Sequence, residues 1–138
     1  MTDSAPPPLP VLLLRRGGPA PVRPDALSRW RADLGDDARP LAWLRNGFLL
    51  PPADPPAGAV LYDAGAACAC CTGLLPMRLT LARLLRDATR RGGWAGVVVE
   101  LGPHAHPDAV MALLASPPFG ERLAVPWRVG VEGIGPVD

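Results

Sequence analysis

A chain of 138 residues that is 49% hydrophobic and 20% charged is long enough to enclose a core and has a globular composition. Its 14 basic residues, all arginine, stand against 13 acidic ones, and a formal net charge of +1 excludes the strong field that gathers nucleic acid or anionic lipid. Apolar runs far shorter than a membrane span, and Pro6, Pro7 and Pro8 where a signal peptide needs an apolar stretch, point to the cytoplasm and to no membrane partner.

Residues 1–9 are expected to form a loose tail and residues 10–138 a single domain. The short continuous apolar run 11–14 predicts a strand buried on both faces, and the Gly- and Pro-bearing stretch 15–23 a loop. Residues 24–34 read as a helix: Pro24 suits its first turn, Leu27, Trp30 and Leu34 share one face, and Gly35 stops it. Strands are expected at 41–44 and 59–62, separated by the proline-rich loop 51–56. The clearest helix spans 74–91, where Met77, Leu81, Leu84, Leu85 and Ala88 form an apolar stripe and Arg78, Arg83, Arg86 and Arg90 lie off it. Gly92 and Gly93 end it. A buried strand at 97–99, a helix at 107–115 opened by Pro107, and a last strand over 123–131 broken by Pro126 complete the order. Strands alternating with helices predict an α/β fold in three layers, a mostly parallel sheet with helices on both faces and ligands beyond the carboxyl ends of the strands.

All three cysteines fall within four positions, Cys68, Cys70 and Cys71, between a strand and the long helix. An odd, crowded set makes a poor disulfide framework, so these residues are expected to remain thiols. A turn entering a helix offers unpaired N–H groups and a positive dipole end, both of which favour thiolate. Three thiolates supply most of a tetrahedral zinc or copper(I) shell. The competing view is that cysteine is a small hydrophobe buried in an alanine-rich segment. His104 and His106, the only histidines, follow the strand at 97–99 and so are expected at the same sheet edge as the cysteines, where either imidazole can complete the shell. The alternatives are a solvated loop residue for His104 and a residue at the start of a helix for His106. Glu100, ending a buried strand, is a further candidate metal ligand, or else a strand-end charge facing solvent. Arg16, Gly17 and Gly18 resemble an anion-binding loop in composition alone, because a phosphate loop needs a Gly-Lys-Ser/Thr sequence and this chain has no lysine.

The order of these features resembles the nucleotide-binding domain of the CobW family of metallochaperone GTPases, related in kind to HypB and UreG. Pro10-Val11-Leu12-Leu13-Leu14 is similar to the family's opening strand, and Asn46-Gly47-Phe48 to its Asn-Glu-Phe-Gly segment. Ala67-Cys68-Ala69-Cys70-Cys71-Thr72 resembles the hallmark Gly-Cys-x-Cys-Cys-Thr, followed by an amphipathic helix. The stretch from Glu100 to Pro107 stands where the family has Glu-Thr-Thr-Gly-Leu-Ala-Asp-Pro. The departures all fall on groups that handle nucleotide. Val22 and Arg23 stand in place of the Walker A lysine and its hydroxyl neighbour, Gly47 replaces the Glu of Asn-Glu-Phe-Gly, Pro103 a glycine and His106 an aspartate.

The resemblance therefore implies a truncated P-loop NTPase-like fold and a metal-binding protein, for zinc, with ligands among Cys68, Cys70, Cys71, His104, His106 and Glu100. The degenerate loop of Arg16, Gly17, Gly18, Val22 and Arg23 implies that GTP and magnesium are not cofactors and that GTP hydrolysis is lost. The expected partners are a metal ion and a client metalloprotein. Two other functions stay open: an atypical GTPase whose loop is rescued by Arg15, Arg16 or Arg23, and a nucleotide-free pseudo-GTPase that docks through its sheet edge or its arginine-rich helix.

Overall fold

The computed structural model describes residues 8–15, 24–35, 38–50, 54–66, 74–124 and 127–131. Five strands form the sheet: β1 (Val11–Arg15), β2 (Leu41–Asn46), β3 (Val60–Asp63), β4 (Gly96–Leu101) and β5 (Trp127–Val131). Their spatial order is β3-β2-β4-β1-β5. All four ladders are parallel, with β4 inserted between β1 and β2 in the registers Leu14↔Glu100 and Arg45↔Glu100. The expected α/β architecture with a parallel sheet is thus present, and among the described residues three α-helices join the strands: α1 (Pro24–Asp33), α2 (Leu75–Arg91) and α3 (Pro107–Ala115).

Side chains alternate across a strand, so the apolar runs of β1, β2 and β4 feed two cores at once. On one face Leu12, Leu14, Leu41, Trp43 and Val98 pack with Leu27 and Trp30 of α1. On the other, Val11, Leu13, Leu44, Val97 and Val99 pack with Met77, Leu81, Leu84 and Leu85 of α2 and Val110, Leu113 and Leu114 of α3. Helices therefore cover both faces, in three layers. Gly96 makes one close approach possible, because a Cβ there would stand 2.7 Å from the Trp30 ring. α2 ends as its sequence requires, on Gly92 with φ +79° in the left-handed region.

Three boundaries differ from expectation. β4 extends to Leu101, so Glu100 lies inside the strand and not at its solvent-facing tip. The last strand begins at Trp127, not at residue 123: Leu123 instead forms an isolated bridge with Leu9, after a 3-10 turn at Phe119–Glu121 that turns Phe119 inward. Leu9, assigned above to the tail, is bonded into the fold, since its N–H donates to the Arg122 carbonyl at 2.8 Å and its carbonyl accepts from Ala124.

Candidate metal site at the carboxyl edge of the sheet

Strands β2, β3 and β4 run in one direction, so the segments that follow them leave by one edge. Those segments are residues 47–50, the stretch beginning at Ala64, and the loop 102–106 that carries both histidines. Backbone bonds stitch them together. The Gly47 N–H donates to the Gly65 carbonyl at 2.9 Å, the His104 N–H donates to the Gly47 carbonyl at 2.9 Å, and the Gly102 N–H donates to the Asn46 carbonyl at 2.8 Å. The buried Asn46 adds a side-chain bond, its Nδ2 donating to the Gly65 carbonyl at 3.0 Å. Gly47, with φ +90°, is held so close to the histidine loop that a Cβ would lie 2.5 Å from the Ala105 nitrogen.

His104 and His106 are both exposed. His106 occupies the N-cap position of α3 with an extended backbone, yet its side chain makes no capping bond. Its imidazole is thus not committed to the helix end, and Asp108 supplies the acidic group that the first turn favours.

Glu100 has a different environment. It is 1% exposed, and its Oε1 accepts from the Trp43 indole Nε1 and from the Arg45 Nε, each at 2.8 Å. Arg45 is itself buried, with its guanidinium carbon 6.0 Å from the centre of the Phe48 ring. A carboxylate taken out of water needs such partners. The solvent-facing alternative for Glu100 is thereby corrected: the residue sits in an internal ion pair on the α1 face of the sheet. The clue in the sequence was that two apolar runs, Leu41 to Leu44 and Val97 to Val99, each end on an opposite charge.

Cys68, Cys70 and Cys71, and the candidate phosphate-binding residues Arg16, Gly17, Gly18, Val22 and Arg23, lie outside the described residues. Among the described residues no three His, Cys, Asp or Glu side chains gather into a group able to hold a metal ion, and no helix is long and apolar enough to cross a membrane. A cavity of about 420 Å³ lies away from this edge, lined by residues that precede the strands (Pro10, Arg39, Trp94, Ala95) together with Asp33 and Arg122. We place the candidate chemistry at the carboxyl edge because the titratable loop residues and the start of the cysteine segment meet there. Comparison with protein-family models, with curated proteins and with solved structures gave no match.

Proposed function

We propose that this protein binds zinc at the carboxyl edge of its sheet, through the thiolates of Cys68, Cys70 and Cys71 and the imidazole of His104 or His106, as the resemblance to CobW metallochaperones implies. The observation that carries the proposal is the bonded path Gly65–Gly47–His104, which ties the segment entering the cysteines to the histidine loop. Strands β3 and β4 are separated by β2 alone, two strand spacings or about 10 Å. Cys68 lies two residues beyond Ala66, a reach of up to about 7 Å. A thiolate and an imidazole on these two loops can therefore approach one ion without any change in the sheet.

The donor set suits zinc, which takes sulfur and nitrogen ligands in tetrahedral sites. Glu100 does not enter it, because a buried carboxylate oxygen already accepting two hydrogen bonds serves the fold. The chain's own residues would bind and orient the ion; GTP hydrolysis forms no part of the proposal, since residues 16–23 include neither lysine nor the hydroxyl neighbour. Metal analysis of untagged protein, followed by titration against a chromophoric chelator, tests it. One equivalent of zinc is expected, lost on Cys→Ser substitution at positions 68, 70 and 71. Protein that carries no zinc and takes none up would end the proposal.

A second function, docking of a client protein, is favoured by the outward side of α2. Leu75 and Leu79 are 58% and 62% exposed, and Arg83, Arg86 and Arg90 continue the same stripe at helical spacing. Capture of a zinc enzyme that survives loss of the cysteines but not Leu79→Asp would support it.

A further inference from the structure

Asn46 and Gly47 divide their hydrogen-bonding groups between two neighbours. Towards β3 they act as donors, the Asn46 Nδ2 and the Gly47 N–H both reaching the Gly65 carbonyl. Towards β4 they act as acceptors, the Asn46 carbonyl receiving the Gly102 N–H and the Gly47 carbonyl receiving the His104 N–H. A second bond on the far side, from the Gly65 N–H to Asp63 Oδ1 at 2.8 Å, closes the turn that presents this carbonyl. Asn46 is one of three polar or charged residues buried among the described ones, and the other two are the Arg45–Glu100 pair. A buried carboxamide is retained at a cost unless its groups are satisfied, and the group it meets here is the Gly65 carbonyl on the loop leaving β3.

We infer that Asn46 is a positioning residue: its carboxamide adds a side-chain bond to the Gly65 carbonyl that the Gly47 N–H also holds, and so fixes the loop leaving β3 against the end of β2, whose backbone carbonyls hold the histidine loop. The inference rests on the zinc proposal for its functional meaning, while the clasp itself stands on described residues. The side chain bonds only the β3 side of the clasp. Losing it leaves the Gly65 carbonyl on the Gly47 N–H alone, with the bonds to Gly102 and His104 in place, so the β3 side loosens relative to the histidine loop.

The test uses the full chain with Asn46→Asp, which keeps the shape but turns a carboxylate oxygen towards the Gly65 carbonyl, and Asn46→Ala in case that variant folds poorly. Zinc affinity is expected to fall on the order of ten-fold or more, as when the groups that orient a ligand are removed. With cobalt(II) as the probe, the thiolate charge-transfer bands should keep their intensity while the d–d bands move, because the thiolates remain and the imidazole is lost. Adding Asn46→Asp to a protein already lacking both imidazoles (His104→Ala with His106→Ala) should cost nothing further, the non-additivity expected of residues acting as one unit. Affinity within two-fold of the parent, or a loss that adds in full, would overturn the inference. If the parent binds no metal, the zinc proposal fails by itself, and amide exchange then decides the clasp: faster exchange at Gly47 in Asn46→Asp supports it, and unchanged exchange refutes it.

Discussion

Replacing Glu100 tests whether the carboxyl edge is held by an internal ion pair. The Glu100→Ala substitution takes away the one oxygen that accepts from both Trp43 Nε1 and Arg45 Nε, at a site 1% exposed. Removing one partner of a buried pair costs about 3–5 kcal/mol, a large part of the roughly 5–15 kcal/mol that holds a domain together. At about 3–4 °C per kcal/mol for a chain of this size, the melting midpoint should fall by roughly 10–20 °C. Glu100→Gln keeps an acceptor and loses the charge, so a cost of about 1–2 kcal/mol is expected. Urea unfolding followed by circular dichroism, with one transition in each variant, gives the comparison. Joint replacement by Arg45→Met and Glu100→Leu should recover most of the loss, since packed apolar groups substitute for a buried pair where one orphaned charge cannot. Zinc affinity of the folded Glu100→Gln protein should equal that of the parent. Stability within 0.5 kcal/mol of the parent for Glu100→Ala would refute the structural role, and a loss of zinc with Glu100→Gln would return the residue to the ligand set.

Gly47→Ala places a Cβ against the Ala105 backbone at a residue with φ +90°, and should cost about 2–4 kcal/mol by thermal unfolding, more than left-handed strain alone. Gly35, with φ +76° and open space around its Cβ, is the control, for which about 1 kcal/mol is expected on Gly35→Ala. Asp87 gives a pH signature. The hydrogen bond from the Tyr62 hydroxyl, at 2.7 Å, is the main cause that holds its carboxyl below the ordinary 3.8, helped by Arg90, Arg83 and Arg86 and opposed by desolvation. A depressed carboxylate contributes stability above its unfolded value and loses it as pH falls through the folded one. The melting midpoints of parent and Asp87→Asn should therefore differ at pH 6 and converge below pH 3.8, and a gap constant across that range would contradict the assignment.

The strands of the sheet centre were legible because their burial on both faces leaves unbroken apolar runs, Val11 to Leu14 and Val97 to Val99 among them. α2 was legible because it is covered on one side only, and its period of 3.6 survives in the spacing of Met77, Leu81, Leu84 and Ala88. The stretch after α3 differs from the expected strand for a reason of the same kind. Leu123 looks like a strand residue, but with Phe119 it belongs to a turn that folds under α3 and the end of the β1 approach. No local pattern tells a buried turn from a buried strand at that length. Strand order was equally out of reach, since the pairing of β4 with both β1 and β2 depends on contacts 50 or more residues apart, as the 55 between Arg45 and Glu100 illustrate.

That separation also explains why the sequence leaves Glu100 open to two readings. A carboxylate at the end of a buried strand is ambiguous until its neighbour is known: beside an open loop it can meet a cation from solvent, and beside Arg45 it meets one from the next strand. Here the pair occupies the α1 face, on the side chains that alternate with those facing α2, whereas the clasp of Asn46 and Gly47 starts at the last residue of β2 and runs along the edge. The two devices share adjacent residues but draw on different groups, a side-chain ion pair for one and backbone carbonyls and amides with a single carboxamide for the other. Stability and metal affinity should then separate under mutation. Glu100 substitutions move the first with little effect on the second in protein that remains folded, and Asn46 substitutions lower the second by more than their cost in stability accounts for; a protein in which both quantities tracked each other across the two sites would have one edge device, not two.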